Sequence, residues 1–72
     1  MKRYANIDGD SGVAAYEYGN DWIRVQFSDG SIYEYSYASA GSANIERMKV
    51  LADLGDGLNA FINTQVKFKY VR

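Results

Sequence analysis

The side chains that could do chemistry in this sequence are carboxylates, phenols, amines and guanidinium groups, since the chain contains no histidine and no cysteine. Acid–base catalysis without imidazole would require carboxylates that lie close together. The four candidates, which fall in turns or on outward-facing strand positions, are Glu17, Asp21, Asp29 and Glu34. We expect these groups to be solvated, and we predict a protein that is not an enzyme.

Three short motifs share residues with known sites but are better explained as turns. Gly9-Asp10-Ser11-Gly12 matches the residues around the nucleophile of trypsin-like proteases, yet that chemistry needs a histidine to accept the serine proton. Asp8-x-Asp10-x-Gly12 and Asp53-x-x-Asp56-Gly57 have part of the spacing of calcium loops, but a complete loop needs further oxygen ligands and a bidentate glutamate. We therefore predict no metal site and no cofactor.

Aromatic and basic residues are the remaining candidates for a binding site. Sheets that bind single-stranded RNA present aromatic rings for stacking, interleaved with basic side chains. The candidate nucleic-acid-binding residues are Trp22, Arg24, Tyr33 and Tyr35 in the predicted strands and Lys67, Lys69 and Arg72 near the C-terminal end. The alternative is that Tyr33 and Tyr35 fill the core and that the lysines line a solvated edge. Trp22 is the aromatic that we expect to be exposed in either case.

Length and composition indicate one small domain, which we assign to residues 1–72. A core of this size is close to the stability threshold, and this chain cannot form a disulfide or a thiolate–imidazole zinc site. We therefore predict self-association as a homodimer through an exposed strand edge. The formal net charge of -1 creates no general attraction to nucleic acid or to a membrane. With no apolar run near the roughly 18 residues of a membrane span, we expect a cytoplasmic protein.

Alternating apolar and polar residues predict strands over Trp22–Phe27 and Ile32–Tyr37. Val13–Tyr18, which is rich in aromatic and small residues, is predicted as the antiparallel strand before them. Gly19-Asn20 suits a two-residue type II′ turn between the first two. For the second hairpin, a two-residue Asp29-Gly30 loop and a three-residue Ser28–Gly30 loop predict different registers.

The three-residue loop, with Gly30 in the left-handed conformation, is the better solution. It places Tyr33 opposite Val25 and Tyr35 opposite Ile23, so that aromatic rings pair with β-branched residues. It also places Glu34 opposite Arg24 on the outer face, which avoids burying a carboxylate without a partner.

Helical spacing of apolar residues from Ile45 to Leu54 predicts one main helix, with Ser42 as its N-cap and Gly55 at its end. A short second helix should begin at Asp56 or Gly57. After it, apolar residues alternate with lysines from Val66 to Tyr70, a pattern typical of an edge strand with a solvated side. The fold class is therefore α+β: a three-stranded meander covered by one main helix, with a short second helix and a C-terminal edge strand.

From about Ser11 to Arg72, the chain resembles the KTSC domain, a short bacterial module that also occurs at the C-terminus of some lysyl-tRNA synthetases. The resemblance is carried by the order and spacing of weak motifs, which are Ile23-x-Val25-x-Phe27, Asp29-Gly30, Tyr33-Glu34-Tyr35, Asn59-x-Phe61-Ile62 and Phe68-Lys69-Tyr70-Val71-Arg72. The family has no established activity. Its attachment to a tRNA-charging enzyme implies RNA as one partner.

Two functional hypotheses follow from these observations. The first is a small non-catalytic binding module that acts on a protein partner or on a second copy of itself. The alternative is a module that binds RNA or another nucleic acid through an aromatic sheet face and the basic C-terminal residues. The position of Tyr33 and Tyr35 relative to the sheet discriminates between them.

Overall fold

The computed structural model describes residues 1–6 and 12–72. The protease-like motif and the first calcium-like spacing, which start at Gly9 and Asp8, lie outside the described residues except for Gly12. The described chain forms an α+β structure with a four-stranded antiparallel sheet in the order β1-β2-β3-β4. The strands are β1 (Lys2–Arg3), β2 (Val13–Tyr18), β3 (Trp22–Phe27) and β4 (Ile32–Ser36).

The register predicted for the β3–β4 hairpin is confirmed. Tyr35 pairs with Ile23, Tyr33 with Val25, and Glu34 with Arg24. The loop contains the three residues Ser28–Gly30, and Gly30 has a φ of 92°, a backbone conformation that glycine adopts without steric cost. The N–H of Gly30 donates to the carbonyl of Phe27 at 2.9 Å and closes the turn.

The turn between β2 and β3 differs from the prediction. Gly19 N–H donates to the Trp22 carbonyl at 3.1 Å, so the two loop residues are Asn20 and Asp21, and neither has a positive φ. A type II′ turn at Gly19-Asn20 is therefore wrong. Glycine occupies position 19 because a Cβ there would lie 2.3 Å from Nε1 of the Trp22 indole.

A β-bulge near the start of β2 brings two side chains to the same face. Val13 pairs with Phe27 and Ala15 pairs with Gln26, so Ala14 is the additional residue. Its carbonyl accepts a hydrogen bond from the Tyr4 N–H at 3.0 Å. Val13 and Tyr16 are consequently both buried although they are three residues apart, a spacing that a regular strand would place on opposite faces.

The helical layer begins with a short helix that the sequence pattern does not predict, α1 (Tyr37–Ala40). Ser36 and Ser39 form a capping box at its start, with the Ser39 N–H donating to the Ser36 hydroxyl at 3.1 Å. The main helix is α2 (Ser42–Leu54). Gly41 rather than Ser42 is its N-cap, so that prediction is displaced by one residue, while the predicted end at Gly55 is confirmed by its φ of 78°.

The predicted C-terminal edge strand is wrong. After α3 (Leu58–Phe61), which confirms the short second helix, a π-helical turn covers Ile62–Val66. Leu58, Ile62 and Val66 are spaced by four residues and are all buried, so burial of a helical face takes precedence over the strand-like alternation that follows. Residues 67–72, here called the C-terminal segment, contact the sheet through a backbone bond from Val71 N–H to the Glu34 carbonyl at 2.6 Å and through the ring of Tyr70.

One hydrophobic core lies between the sheet and the helices. Its sheet side contains Tyr16, Ile23, Val25 and Tyr35, which occupy alternate positions on three adjacent strands. Helix α2 packs on β3 and β4. The helical side of the core consists of Ala40, Ile45, Met48, Ala52, Leu58, Ile62 and Val66.

Candidate functional site: an aromatic and basic cleft

A cavity of about 420 Å³ lies between the β3–β4 turn and the C-terminal segment. We call it the aromatic cleft, because five of its lining residues are aromatic. Its polar lining comes from the turn, from Asn63 and from Lys67. The full set of lining residues is Gly12, Phe27, Ser28, Asp29, Ser31, Tyr33, Tyr35, Ile62, Asn63, Lys67, Phe68 and Tyr70.

The rings around the cleft hold one another in position. Tyr33 is central, with its ring centroid 4.8 Å from that of Tyr70 in a tilted contact and 5.8 Å from that of Phe27 in an edge contact. Both distances are in the range that favours aromatic pairs. Phe68 is 67% exposed and Tyr33 38% exposed, so the cleft presents ring surface to solvent as well as to the core.

Charge is distributed unevenly along the chain, and the cleft lies at its basic end. All nine acidic residues precede Gly57, whereas the only charged residues after it are Lys67, Lys69 and Arg72. Within residues 1–6 and 12–72, none of these three cations forms a salt bridge, although Lys2, Arg24 and Lys49 do. The C-terminal segment is therefore a local positive region on an acidic protein.

Two of these cations lie against aromatic rings. The Lys67 ammonium is 5.5 Å from the centroid of the Phe68 ring, and the Arg72 guanidinium is 5.1 Å from that of Tyr70.

Asp29 is the acidic residue of the cleft lining. The hydroxyl and the N–H of Ser31 donate hydrogen bonds to its carboxylate at 2.6 and 2.9 Å. These two bonds hold the pKa of the Asp29 carboxyl below its usual value.

The two tyrosines predicted as site residues have different positions. Tyr35 is 1% exposed and forms the floor of the cleft, and burial, with a smaller contribution from neighbouring tyrosines, raises its pKa to about 12. Tyr33 lies on the same face of the sheet but at the rim, where its ring is accessible. The cleft thus brings together Tyr33 and Lys67, with Lys69 and Arg72 in the adjoining segment.

Trp22 and Arg24, the other predicted site residues, lie on the outer face of the sheet and are not part of the cleft. The Arg24 guanidinium lies between two carboxylates, bonding Glu34 at 2.7 Å and also Glu17. These bonds raise its pKa, the one to Glu34 most strongly. The Trp22 ring stacks on Arg24 at 4.9 Å. Trp22, the aromatic expected to be exposed, is only partly exposed and is less accessible than Tyr33 or Phe68.

Phe68 and Tyr70 are not among the site residues predicted from sequence, because the alternating pattern assigns both to an edge strand with a solvated side. The sequence nevertheless contains a feature that points to them as binding residues, since aromatic and basic residues alternate from Lys67 to Arg72 without any acidic residue.

A second polar cluster joins α2 to the β2–β3 hairpin. The hydroxyls of Tyr16 and Tyr18 each donate to the Asp53 carboxylate at 2.7 Å. These bonds lower the pKa of Asp53, the one from Tyr18 most, and Lys2 adds to the effect. Because every donor here is already matched by an acceptor within the molecule, this cluster serves the packing of the helix.

Lys49 and Glu46 extend this cluster toward α1. Lys49 Nζ donates to the Glu46 carboxylate and to the Asn20 carbonyl, both at 2.8 Å. The Tyr37 hydroxyl donates to the same Glu46 oxygen at 2.6 Å. Bonds from Lys49 and then Tyr37 hold the pKa of Glu46 below its usual value. These contacts connect the start of α2 to the β2–β3 turn and to α1.

Comparison with known proteins gives no family model, no curated protein and no solved structure that matches this chain. Within the described ranges, no helix has the length and apolar character needed to cross a membrane. In the same ranges, no three His, Cys, Asp or Glu side chains are grouped so that they could hold a metal ion. The function is therefore inferred from the chain's own geometry and charge.

Proposed function

We propose that this chain is a small non-catalytic binding module and that it binds a protein partner at the aromatic cleft. The observation that supports this is that exposed aromatic rings and Lys67 line one cleft, with Lys69 and Arg72 in the adjoining segment, and that none of these three cations has an acidic partner in the described structure. Aromatic side chains and desolvated cations dominate the binding energy of many interfaces. We also propose that the chain is a KTSC domain, on the basis of the order and spacing of its sequence motifs.

The chemistry of the cleft defines the partner. The accessible surfaces of Phe68 and Tyr33 would pack against an aliphatic or aromatic side chain. Lys67, Lys69 and Arg72 would face acidic groups on either side of it, which adds specificity and accelerates association. The partner is therefore an apolar anchor with flanking carboxylates.

Nuclear magnetic resonance titration tests this function directly. A peptide with a central leucine flanked by aspartate and glutamate should shift the amide signals of Tyr33, Lys67 and Phe68. Phe68→Ser should weaken this binding at least about tenfold, since it removes a central aromatic contact. Ile32→Ser is the matched control, because Ile32 is also an exposed apolar residue but lies outside the cleft lining. Equal effects of the two substitutions, or shifts that avoid the cleft, would contradict the proposal.

RNA is the second candidate partner, and the same pairing of cations with rings favours it. Single-stranded nucleic acid binds by stacking bases on aromatic rings and placing phosphates against basic side chains. Oligouridylate should then bind at low salt, and its affinity should fall steeply as salt is raised. Lys67→Gln with Lys69→Gln should reduce both the affinity and the salt dependence. Absence of binding at low ionic strength would exclude this candidate.

A further inference from the structure

Strand β4 lies at one edge of the sheet, since it is the last in the order β1-β2-β3-β4. In an antiparallel pair, the backbone groups of successive residues face the neighbouring strand and the outer side in turn. The Phe27 N–H donates to the Ser31 carbonyl at 2.8 Å. The Tyr37 N–H donates to the Asp21 carbonyl at 2.9 Å. Odd-numbered residues of β4 therefore bond to β3, and the backbone groups of its even-numbered residues face outward.

Three residues of β4 thus present an N–H and a C=O to the outer edge, and two of them are already engaged. The Ser36 N–H donates to the Ser39 hydroxyl at 3.0 Å. The Glu34 carbonyl accepts the bond from Val71. Ile32 is the third residue, and within the described residues its N–H and C=O have no bonding partner. Since Ile32 is also 51% exposed, the edge of β4 is open at this one position.

The open position adjoins the aromatic cleft. Ile32 lies between Ser31 and Tyr33, and both of these residues line the cleft. Because side chains alternate along a strand, Ser31 and Tyr33 face the cleft while the Ile32 side chain lies on the outer face of the sheet. A chain that enters the cleft from this edge would therefore pass beside the two open backbone groups.

An extended polypeptide has the chemistry that fits this position. In antiparallel pairing, the N–H and C=O of a single residue bond to one residue of the added strand, whereas parallel pairing distributes the bonds over successive residues. An edge that is open at one residue therefore favours the antiparallel arrangement. The chain itself uses the same row of groups, since the Val71 N–H reaches the Glu34 carbonyl. Addition of a strand to a sheet edge is also a common mode of peptide recognition.

A second copy of the chain is a poorer occupant of this edge. A two-fold bridge between the Ile32 residues of two molecules would bring two C-terminal segments to the same side of the joined sheet. Each segment carries Lys67, Lys69 and Arg72 and no acidic residue. Like charges at that distance oppose association, so a separate peptide segment fits better than the β4 strand of another copy.

We propose that the partner enters the aromatic cleft as an extended segment, one residue of which forms a two-bond antiparallel bridge with Ile32. This inference rests on the proposed function, because it uses the aromatic cleft as the binding site. The residue before the bridging residue lies opposite Tyr33, with its side chain on the cleft side of the sheet. That residue is the apolar anchor, and the residue that follows it in the partner bonds to Ile32.

Two N-methylated peptides test the bridge by isothermal titration calorimetry. The parent is the peptide with a central leucine flanked by aspartate and glutamate. N-methylation of the residue after the leucine removes the N–H that donates to the Ile32 carbonyl, and it should weaken binding at least about tenfold. N-methylation of the leucine itself is the matched control, because its N–H points away from β4. This control should bind within about twofold of the parent.

Hydrogen exchange of the Ile32 amide is the second measurement. In the free protein this amide has no acceptor among the described residues, so it should exchange rapidly. Saturation with the parent peptide should slow its exchange at least about tenfold, because the amide then donates to the bridging residue. The amide of Asn20, in the turn at the other end of β3, should keep its rate.

The other outcomes show which idea has failed. If the two methylated peptides bound equally, or if the Ile32 amide stayed fast while the signals of the cleft shifted, the bridge would be wrong and the proposed function would stand. If the parent peptide shifted no signal of the cleft, the proposed function would fail and the bridge with it. Slow exchange of Ile32 in the free protein, together with twice the monomer mass of 8.1 kDa, would identify a second copy as the occupant and overturn the peptide bridge.

Discussion

Tyr35 and Ile23 lie directly opposite each other on β4 and β3, and their side chains are 1% and 0% exposed. A phenol ring and a β-branched side chain thus form the centre of the sheet's contribution to the core. Trp22, one position before Ile23, points to the other face and stacks on Arg24. Adjacent residues of β3 therefore have different roles in stability.

Replacing Tyr35 with alanine should lower the free energy of unfolding by roughly 3 kcal/mol, because it leaves a cavity in the core. That is a large part of the 5–15 kcal/mol typical of small domains. Trp22→Ala should cost much less, since the ring is partly solvated. Urea denaturation of the two variants measures the difference. A Trp22→Ala loss as large as that of Tyr35→Ala would contradict the assignment of the two faces.

Acid should destabilise the protein partly through Asp53. Hydrogen bonds from Tyr18 and Tyr16 lower the pKa of its carboxyl below the ordinary 3.8, so the unfolded chain takes up the proton more readily than the folded one. The stabilisation is complete above the ordinary pKa and is lost as the pH falls through the lower folded value. Thermal melts from about pH 5 to about pH 2 should therefore show a shallower decline for Asp53→Asn than for the wild type.

Asp56→Asn is the control for this measurement. This substitution also removes one carboxylate. Among the described residues, no tyrosine hydroxyl donates a hydrogen bond to Asp56, whereas two donate to Asp53. Its melting temperature should follow the wild-type pH dependence. If Asp53→Asn declined as steeply as Asp56→Asn, the phenol–carboxylate contacts would not contribute to stability.

Gly55→Ala should destabilise the protein by more than about 1 kcal/mol, the ordinary cost of a left-handed backbone in a residue with a side chain. Gly55 has a φ of 78°, and its Cβ would lie 2.5 Å from the Cβ of Ala5. Gly41→Ala is the matched control, because its φ of 92° imposes backbone strain while nothing lies within 4 Å. Adding Ala5→Gly to Gly55→Ala should recover the steric part of the loss in urea midpoint.

Val66 and Phe68 should respond oppositely to truncation, although the sequence places them in one alternating pattern. Val66→Ala should lower the free energy of unfolding by about 1–3 kcal/mol, because the side chain is fully buried. Phe68→Ala should change it by less than about 0.5 kcal/mol, as exposed positions usually do. Similar losses at both positions, measured by urea denaturation, would indicate a regular edge strand instead.

Local rules predicted the parts of the fold that depend on neighbouring residues. The β3–β4 register follows from Gly30 in the turn and from the pairing of Glu34 with Arg24, both of which are readable from a few residues. The end of α2 at Gly55 follows from the same kind of information. Strand β1 was missed because two exposed residues carry no periodic signal, and α1 because its capping box joins only Ser36 and Ser39.

The candidate site was harder to predict, because it is assembled from distant parts of the chain. Tyr33 comes from β4, whereas Tyr70 belongs to the C-terminal segment, and their contact exists only after folding. The lysines of that segment were identified as candidates, but the strand assignment placed them on a solvated edge. The π-helical turn that ends at Val66 determines where they lie, and its five-residue hydrogen-bond spacing has no sequence signature.

The additional residue at Ala14 determines which residues of β2 face the core and which face solvent. Upstream of the bulge, odd-numbered Val13 faces the core, and downstream of it even-numbered Tyr16 does. A deletion at this position would remove the change of phase. Either Val13 would turn to solvent, or Tyr16 would leave the core and Tyr18 would turn away from Asp53, to which both hydroxyls donate. A single missing alanine could therefore disconnect α2 from the sheet without altering any residue that touches the helix.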